Sequence, residues 1–256
     1  MGLEMISLKS DREIQAMRKA GRITAQARAL AGSMIRPGVT THEIDTAVRR
    51  FIESHGAKPS FLGYGGFPGS ACISINEEVI HGIPGPRKLK EGDIVSCDTG
   101  ATLDGFVGDA ARTFLCGNVD EKARKLVQVT RECFFEAIKY CREGYRLSDI
   151  GTAVQTHAEA NGYGVVRDYV GHGIGRNMHE DPEVPNYYSP RARLRLRAGM
   201  AIAVEPMINM GTWKVRQLSD GWTVETEDGL PSAHYENTIL ITDGDPIMTT
   251  FYEEEA

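Results

Sequence analysis

Two acidic residues inside one apolar β-hairpin constrain this chain more than any other feature. The stretch Leu89–Asp109, LKEGDIVSCDTGATLDGFVGD, reads as a strand, a turn at Asp104-Gly105 and a returning strand. An Asp-Gly step between two extended runs is a strong hairpin signal. A two-residue loop there sets Gly100 opposite Asp109 and Asp98 opposite Ala111. Asp98 and Asp109 then share one face as diagonal neighbours, roughly 7–8 Å apart between backbones. No basic residue faces either acid in that register. Unpaired carboxylates inside a strand that begins Ile94-Val95 are costly to bury unless a cation lies between them. The pattern predicts that cation to be a metal.

Composition narrows the remaining choices. A net charge of −6 over 256 residues argues against bulk nucleic-acid binding as the main task. No apolar run approaches the ~20 residues that span a bilayer. The opening MGLEMISLKSDRE has neither an apolar signal core nor a cleavage site, so no export and no membrane are expected. The five cysteines are odd in number and lack zinc or redox spacing, which predicts reduced thiols in a cytoplasmic protein.

Along the chain, residues 10–35 read as an amphipathic helix. Ser10 and Glu13 make a capping-box start, Ile14, Met17, Ile23 and Leu30 supply an apolar face, and Arg36-Pro37-Gly38 ends it. A second helix runs from Thr40 or Thr41 to His55, where Gly56 stops it. Between 58 and 85, Gly/Pro-rich loop alternates with short strand, most clearly at Ala71–Ile75. After the hairpin a helix is expected from about Glu121 to Arg142.

Then the pattern repeats. Gly38, Ile44 and Thr46-Ala47-Val48 recur 106 positions later as Gly144, Ile150 and Thr152-Ala153-Val154, in a helix that ends at Gly162. Leu89-Lys90-Glu91-Gly92 matches Leu196-Arg197-Ala198-Gly199, and continuing that register places Asp98 on Glu205. The shared order and near-constant offset indicate a duplicated unit. Two copies about a pseudo-two-fold would bring their acidic strands together. The later run Ser232–Leu240 adds one more acid inside a strand, Glu236. Around these lie three turns: His81-Gly82, Gly171-His172-Gly173 and His179-Glu180.

Four carboxylates balance two divalent ions. With one neutral imidazole they form an oxygen-rich set suited to Mn(II), Fe(II) or Co(II), with zinc as a further candidate, rather than to thiolate-bound structural zinc. Two such ions can lower the pKa of one water and clamp a tetrahedral intermediate. The expected chemistry is hydrolysis of an amide or ester.

Asp98, Asp109, His172, Glu205 and Glu236, in this order and at these intervals, resemble the five metal ligands of the methionine aminopeptidases of peptidase family M24. The segments INEEVIHGIP, DYVGHGIGR, MHEDPEVPNY and VEPM belong to the same resemblance, which runs from the first helix to the strand at Thr238. The short interval between His179 and Glu205 leaves no room for the large insertion of the second family type. With no N-terminal extension before the first helix, the chain resembles the minimal bacterial form of type 1. That resemblance implies an α+β architecture, the pita-bread fold: a curved antiparallel sheet backed by helices, with internal pseudo-two-fold symmetry. It implies one catalytic domain over 1–256, with halves of about 1–120 and 121–256.

The resemblance also implies an activity, removal of the initiator methionine from nascent proteins when the second residue is small. By position, Asp98 would chelate one metal near the substrate amine. Asp109 and Glu236 would bridge, and His172 and Glu205 would bind the other. Glu205 would also be general base, His179 would hydrogen-bond the scissile carbonyl, and His81 would contact the departing amide nitrogen or the backbone beside it. Tyr64, Phe67, Cys72, Met178 and Trp222 would form the methionine pocket, where aromatic and sulfur groups suit a thioether. The partner is the N-terminal peptide of a nascent protein, and a monomer is expected. The chain departs from the common family pattern at His234 (often Gln), Asn237 (often His), Ala203 (often Thr) and Met178 (often Phe), so the surroundings of the ligands differ.

Blander readings stand beside these. His172 between glycines reads on its own as a loop histidine, and His179-Glu180 as a surface pair. His42, His55 and His157 sit in helical stretches as structural or solvent-facing groups, and Cys97 points to the core side of its strand. The basic run Arg191–Arg197 is most simply a solvated loop; its sharper reading is a transient contact with ribosomal RNA. The rival functions are a proline-specific aminopeptidase or dipeptidase of the same fold, and a non-catalytic pita-bread binding module.

Overall fold

The computed structural model describes residues 6–251, so the first residues of the N-terminal stretch read above lie outside it. Helix α1, Asp11–Met34, starts where predicted: the Glu13 carboxylate accepts from the Ser10 N–H at 3.0 Å and from its hydroxyl at 2.9 Å. Helix α2, Thr41–Ser54, begins with the same device, Glu43 accepting from the Thr40 N–H at 2.8 Å. Helix α3, Glu121–Ile138, ends four residues before the expected Arg142. There the N–H groups of Tyr140 and Cys141 reach back only three residues, at 3.0 and 3.1 Å, and the Glu143 N–H leaves the axis for the Thr242 carbonyl at 3.1 Å. Tightened i→i−3 turns of this kind commonly close a helix. Helix α4 spans Leu147–Ala160.

The hairpin has the predicted register. Strands Ile94–Leu103 and Phe106–Leu115 pair antiparallel, with Leu103 opposite Phe106, Gly100 opposite Asp109 and Asp98 opposite Ala111. Asp104 and Gly105 both have positive φ, 51° and 77°, as a twist-matched two-residue loop requires. Helix α1 lies directly on this hairpin, because Gly108 carries no side chain: a Cβ there would stand 2.7 Å from the Gly21 Cα.

Hydrogen bonds repeat across the two halves. The Gly38 N–H donates to the Leu89 carbonyl at 2.8 Å, and the Gly144 N–H to the Leu196 carbonyl at 3.0 Å. The Thr41 N–H meets the Arg87 carbonyl at 3.1 Å, and the Leu147 N–H meets that of Leu194 at 3.1 Å. The Cys116 N–H reaches Asp93 at 2.9 Å, as the Ile241 N–H reaches Met200 at 2.8 Å. Helices α2 and α4 have 14 residues each, and Leu147 follows Thr41 by the predicted offset. One apolar core packs α1 and α2 onto the first hairpin, with Cys97 inside it; another packs α3 and α4 onto the strands of the second half.

The second half departs from the expected single strand over Ser232–Leu240. Strand Ser232–His234 pairs with Met207–Asn209, and strand Asn237–Leu240 pairs with Ala201–Val204. The break falls at Tyr235-Glu236, opposite Glu205-Pro206. Pro206 has no N–H to donate, the Tyr235 N–H takes its carbonyl at 3.2 Å, and the Glu236 N–H crosses to Ala111 of the first half at 2.8 Å. Glu205 and Glu236 therefore sit at the corner between two sheets, not within a strand. His172 is likewise not in a turn but in strand Gly171–Gly173. Its flanking glycines permit close approach: a Cβ at Gly171 would lie 2.4 Å from the Ala203 carbonyl oxygen, and one at Gly173 2.1 Å from that of Asp181.

Candidate metal centre

The seam between the halves brings together the twelve residues to which the sequence assigns a metal, catalytic or pocket role. A cavity of about 180 Å³ is lined by Tyr64, Phe67, Cys72, His81, Asp98, Asp109, His172, Met178, His179, Glu205, Trp222 and Glu236. Phe61, Ile80, Tyr169 and Val170 complete the wall and were missed. Each stands within three residues of a predicted one, so proximity to a chemistry-bearing residue was the available signal.

Five side chains converge at its floor. Glu236, Asp109, His172 and Glu205 are 2, 4, 8 and 9% exposed. The His172 Nδ1–H donates to the Gly173 carbonyl at 2.9 Å, which leaves the Nε2 lone pair facing Asp109 Oδ2 at 3.7 Å and Glu205 Oε1 at 3.6 Å. These separations are too long for hydrogen bonds. They suit atoms that share a cation, since ligands each about 2.0–2.2 Å from one ion stand roughly 3–4 Å apart. Two donor groups have ligand atoms within 4.8 Å of one another, Asp109 with His172 and Glu236, and Asp98 with His234 and Glu236. Asp98 Oδ1, Asp109 Oδ1 and Glu236 Oε1 are buried without a hydrogen-bond partner. Orphaned acceptors of that kind are costly, and divalent cations are what this donor set fits.

The electrostatics agree. Burial pushes Asp98, Glu205 and Glu236 well above the usual carboxylate range, and the charges of neighbouring acids, Asp109 foremost, add to it. Burial raises Asp109 to about 7, against hydrogen bonds from Asp98 and the Ala110 N–H. Burial lowers His172 to about 4, helped by the nearby His179. The imidazole is therefore a neutral donor at ordinary pH, and a bound cation would displace protons from the carboxyls.

The cavity wall is aromatic. Phe67 meets Trp222 edge-on at 5.1 Å, and Cys72 faces Asp98 across paired strands. Burial, then the Asp98 charge, keeps the Cys72 thiol protonated. His81 has a positive φ of 60°, an uncommon conformation for a non-glycine residue, and burial lowers its pKa to about 4. His179 stands exposed at the mouth, its ring 4.3 Å from that of His172 and its Nδ1 2.7 Å from the Tyr64 hydroxyl. Asn237, fully buried, accepts from Arg28 at 3.3 Å and Thr250 at 2.9 Å, behind the centre.

A family model for metallopeptidase family M24 matches residues 15–243. A methionine aminopeptidase of Clostridium perfringens (strain 13 / Type A) is 54% identical over 96% of this chain and 99% of its own length. The chain belongs to the methionine aminopeptidases of family M24. The crystal structure of a methionine aminopeptidase from Thermotoga maritima superposes with a TM-score of 0.94 at 46% identity, covering 97% of this chain and 100% of that one. A prolidase from Pyrococcus furiosus is more distant, with a TM-score of 0.78 and 25% identity; 96% of this chain covers 66% of it. This M24 enzyme thus has the pita-bread fold. Among its described residues no helix is long and apolar enough to cross a membrane.

Proposed function

We propose that Asp98, Asp109, His172, Glu205 and Glu236 hold two divalent cations and that the cavity beside them removes N-terminal methionine when the second residue is small. The observation that carries this reading is the set of buried carboxylates, three with unpartnered oxygens, gathered with the His172 Nε2 on the floor of an aromatic and sulfur-lined pocket. Manganese, iron or cobalt fits the oxygen-rich set, and zinc remains a candidate. Bound there, such cations supply an activated water and a polarised scissile carbonyl. In this assignment Asp98 would help to hold one ion and the His172–Glu205 pair the other, with Asp109 and Glu236 contributing to both.

The remaining steps belong to side chains. Glu205, whose carboxylate lines the cavity, would take up the proton released on attack and return it to the departing amine. With the Tyr64 hydroxyl donating to His179 Nδ1, Nε2 carries a proton toward the scissile carbonyl oxygen as charge develops there. His81 would contact the leaving amide nitrogen or the backbone beside it. Tyr64, Phe67, Cys72, Met178 and Trp222 enclose the methionine side chain.

Both halves contribute, Tyr64 to Asp109 from one and His172 to Glu236 from the other. We therefore read residues 1–256 as one catalytic unit, with halves of about 1–120 and 121–256, acting as a cytoplasmic monomer on nascent chains. A peptide panel with the metal-loaded protein tests the activity. Met-Ala and Met-Gly-Met are expected to be cleaved and Ala-Pro left intact. The reverse pattern would support a proline-specific enzyme, and no cleavage at full metal content a binding module.

The exposed Arg191, Arg193 and Arg195 supply a basic surface for a transient ribosomal RNA contact. Reversing their charge should weaken co-sedimentation with ribosomes; unchanged binding would remove that contact from the proposal.

A further inference from the structure

One nitrogen at the centre has no assigned task. His234 is 2% exposed, and its Nε2 is buried without a hydrogen-bond partner. It stands 3.8 Å from Glu236 Oε2 and 3.9 Å from Glu205 Oε2. His172 Nε2 lies at nearly the same distances from its carboxylates, 3.6 and 3.7 Å. A hydrogen bond to either glutamate would need the ring to move closer by most of an ångström. The backbone does not favour that. The His234 N–H donates to Thr113 Oγ1 at 2.8 Å, that hydroxyl donates back to the His234 carbonyl at 3.0 Å, and Ser96 Oγ holds the threonine at 2.8 Å. Residue 234 is also paired opposite Met207 in its sheet.

We infer that His234 is itself a metal ligand: its Nε2, with Asp98 and Glu236, serves the cation that His172 does not reach. The inference rests on the proposed metal centre and adds a second nitrogen to it, so that each ion has one imidazole. Asp98, His234 and Glu236 already place one ligand atom each within 4.8 Å of the others. A cation there would give the orphaned His234 Nε2 a partner and relieve the Asp98 and Glu236 carboxylates, each of which has one oxygen without a hydrogen bond. The consequence is selectivity. Imidazole suits cobalt, iron, nickel and zinc better than manganese, for which oxygen ligands are preferred. His234 therefore tilts this centre toward the later metals.

The test uses the full chain, stripped of metal and reloaded with Co(II). X-ray absorption counts the imidazoles per cobalt, and calorimetric titration gives the affinities. With two cobalts bound, about one imidazole per cobalt is expected, falling to about half in both His234→Gln and His172→Gln. His234→Gln should also weaken Co(II) binding ~10-fold or more while weakening Mn(II) binding less. Circular dichroism checks that the variants are folded; should one variant fail to fold, the imidazole count of the wild type and the other variant still decides. A wild-type count of one half, or one unchanged in His234→Gln, would overturn the role of His234 and leave the five-ligand centre standing. Absence of bound cobalt, or of any imidazole, would overturn the metal centre itself.

Discussion

Asp109→Ala is expected to lower kcat/KM at least ~10³-fold while the chain remains folded, because the proposed centre makes Asp109 a donor to both ions. Metal analysis should show the loss directly, and full activity in the variant would rule out the shared role. Folding should survive. The backbone of residue 109 is fixed independently of its carboxylate, its N–H donating to Thr238 Oγ1 at 3.0 Å and its carbonyl accepting from the same hydroxyl at 2.9 Å. The metal-free protein offers a second readout. Burial holds the Asp109 pKa at about 7, above its ordinary value of about 4. The folded state thus binds the extra proton. Its stabilising contribution is complete below pH ~4 and is lost as pH rises toward 7. Denaturant midpoints measured in chelator should fall over that interval in the wild type, and less steeply in Asp109→Ala.

His179→Ala should separate chemistry from metal binding. We expect kcat to fall ~10²–10³-fold, the usual cost of losing one donor to a developing oxyanion, with metal content unchanged. His179 belongs to neither of the two donor groups, and its ring sits at the cleft mouth, held by Tyr64. Unchanged kcat would refute the assigned role. Loss of metal would instead make it a ligand.

Much of this arrangement was legible because it follows from short-range chemistry. Asp104-Gly105 sets the hairpin register, and that register alone puts Asp98 and Asp109 on one face. Capping pairs at Ser10-Glu13 and Thr40-Glu43 announced two helix starts. What escaped depends on the rest of the molecule. Helix α3 stops at Ile138 because Glu143 is drawn to Thr242, in the second half of the chain. The run through Tyr235-Glu236 has continuous strand character in sequence, and its break arises from Pro206 and Ala111 on other segments. His172 resembles a loop residue until Ala203 and Asp181 are seen against its glycines. His234 carried no sequence signal beyond a departure from the family's habit; its orphaned nitrogen is a property of packing.

The matched hydrogen bonds of the two halves have a chemical consequence for how a peptide lies. Asp98 and Glu205 follow the matched glycines Gly92 and Gly199 by six residues each, whereas His81 comes from one half and His172 and His179 from the other. An even frame carrying uneven histidines has polarity: in the proposed assignment one end would greet an ammonium group, the other a carbonyl. Directionality, the property that lets an exopeptidase distinguish the beginning of a chain from its interior, would then arise from the histidines in which the two matched halves differ.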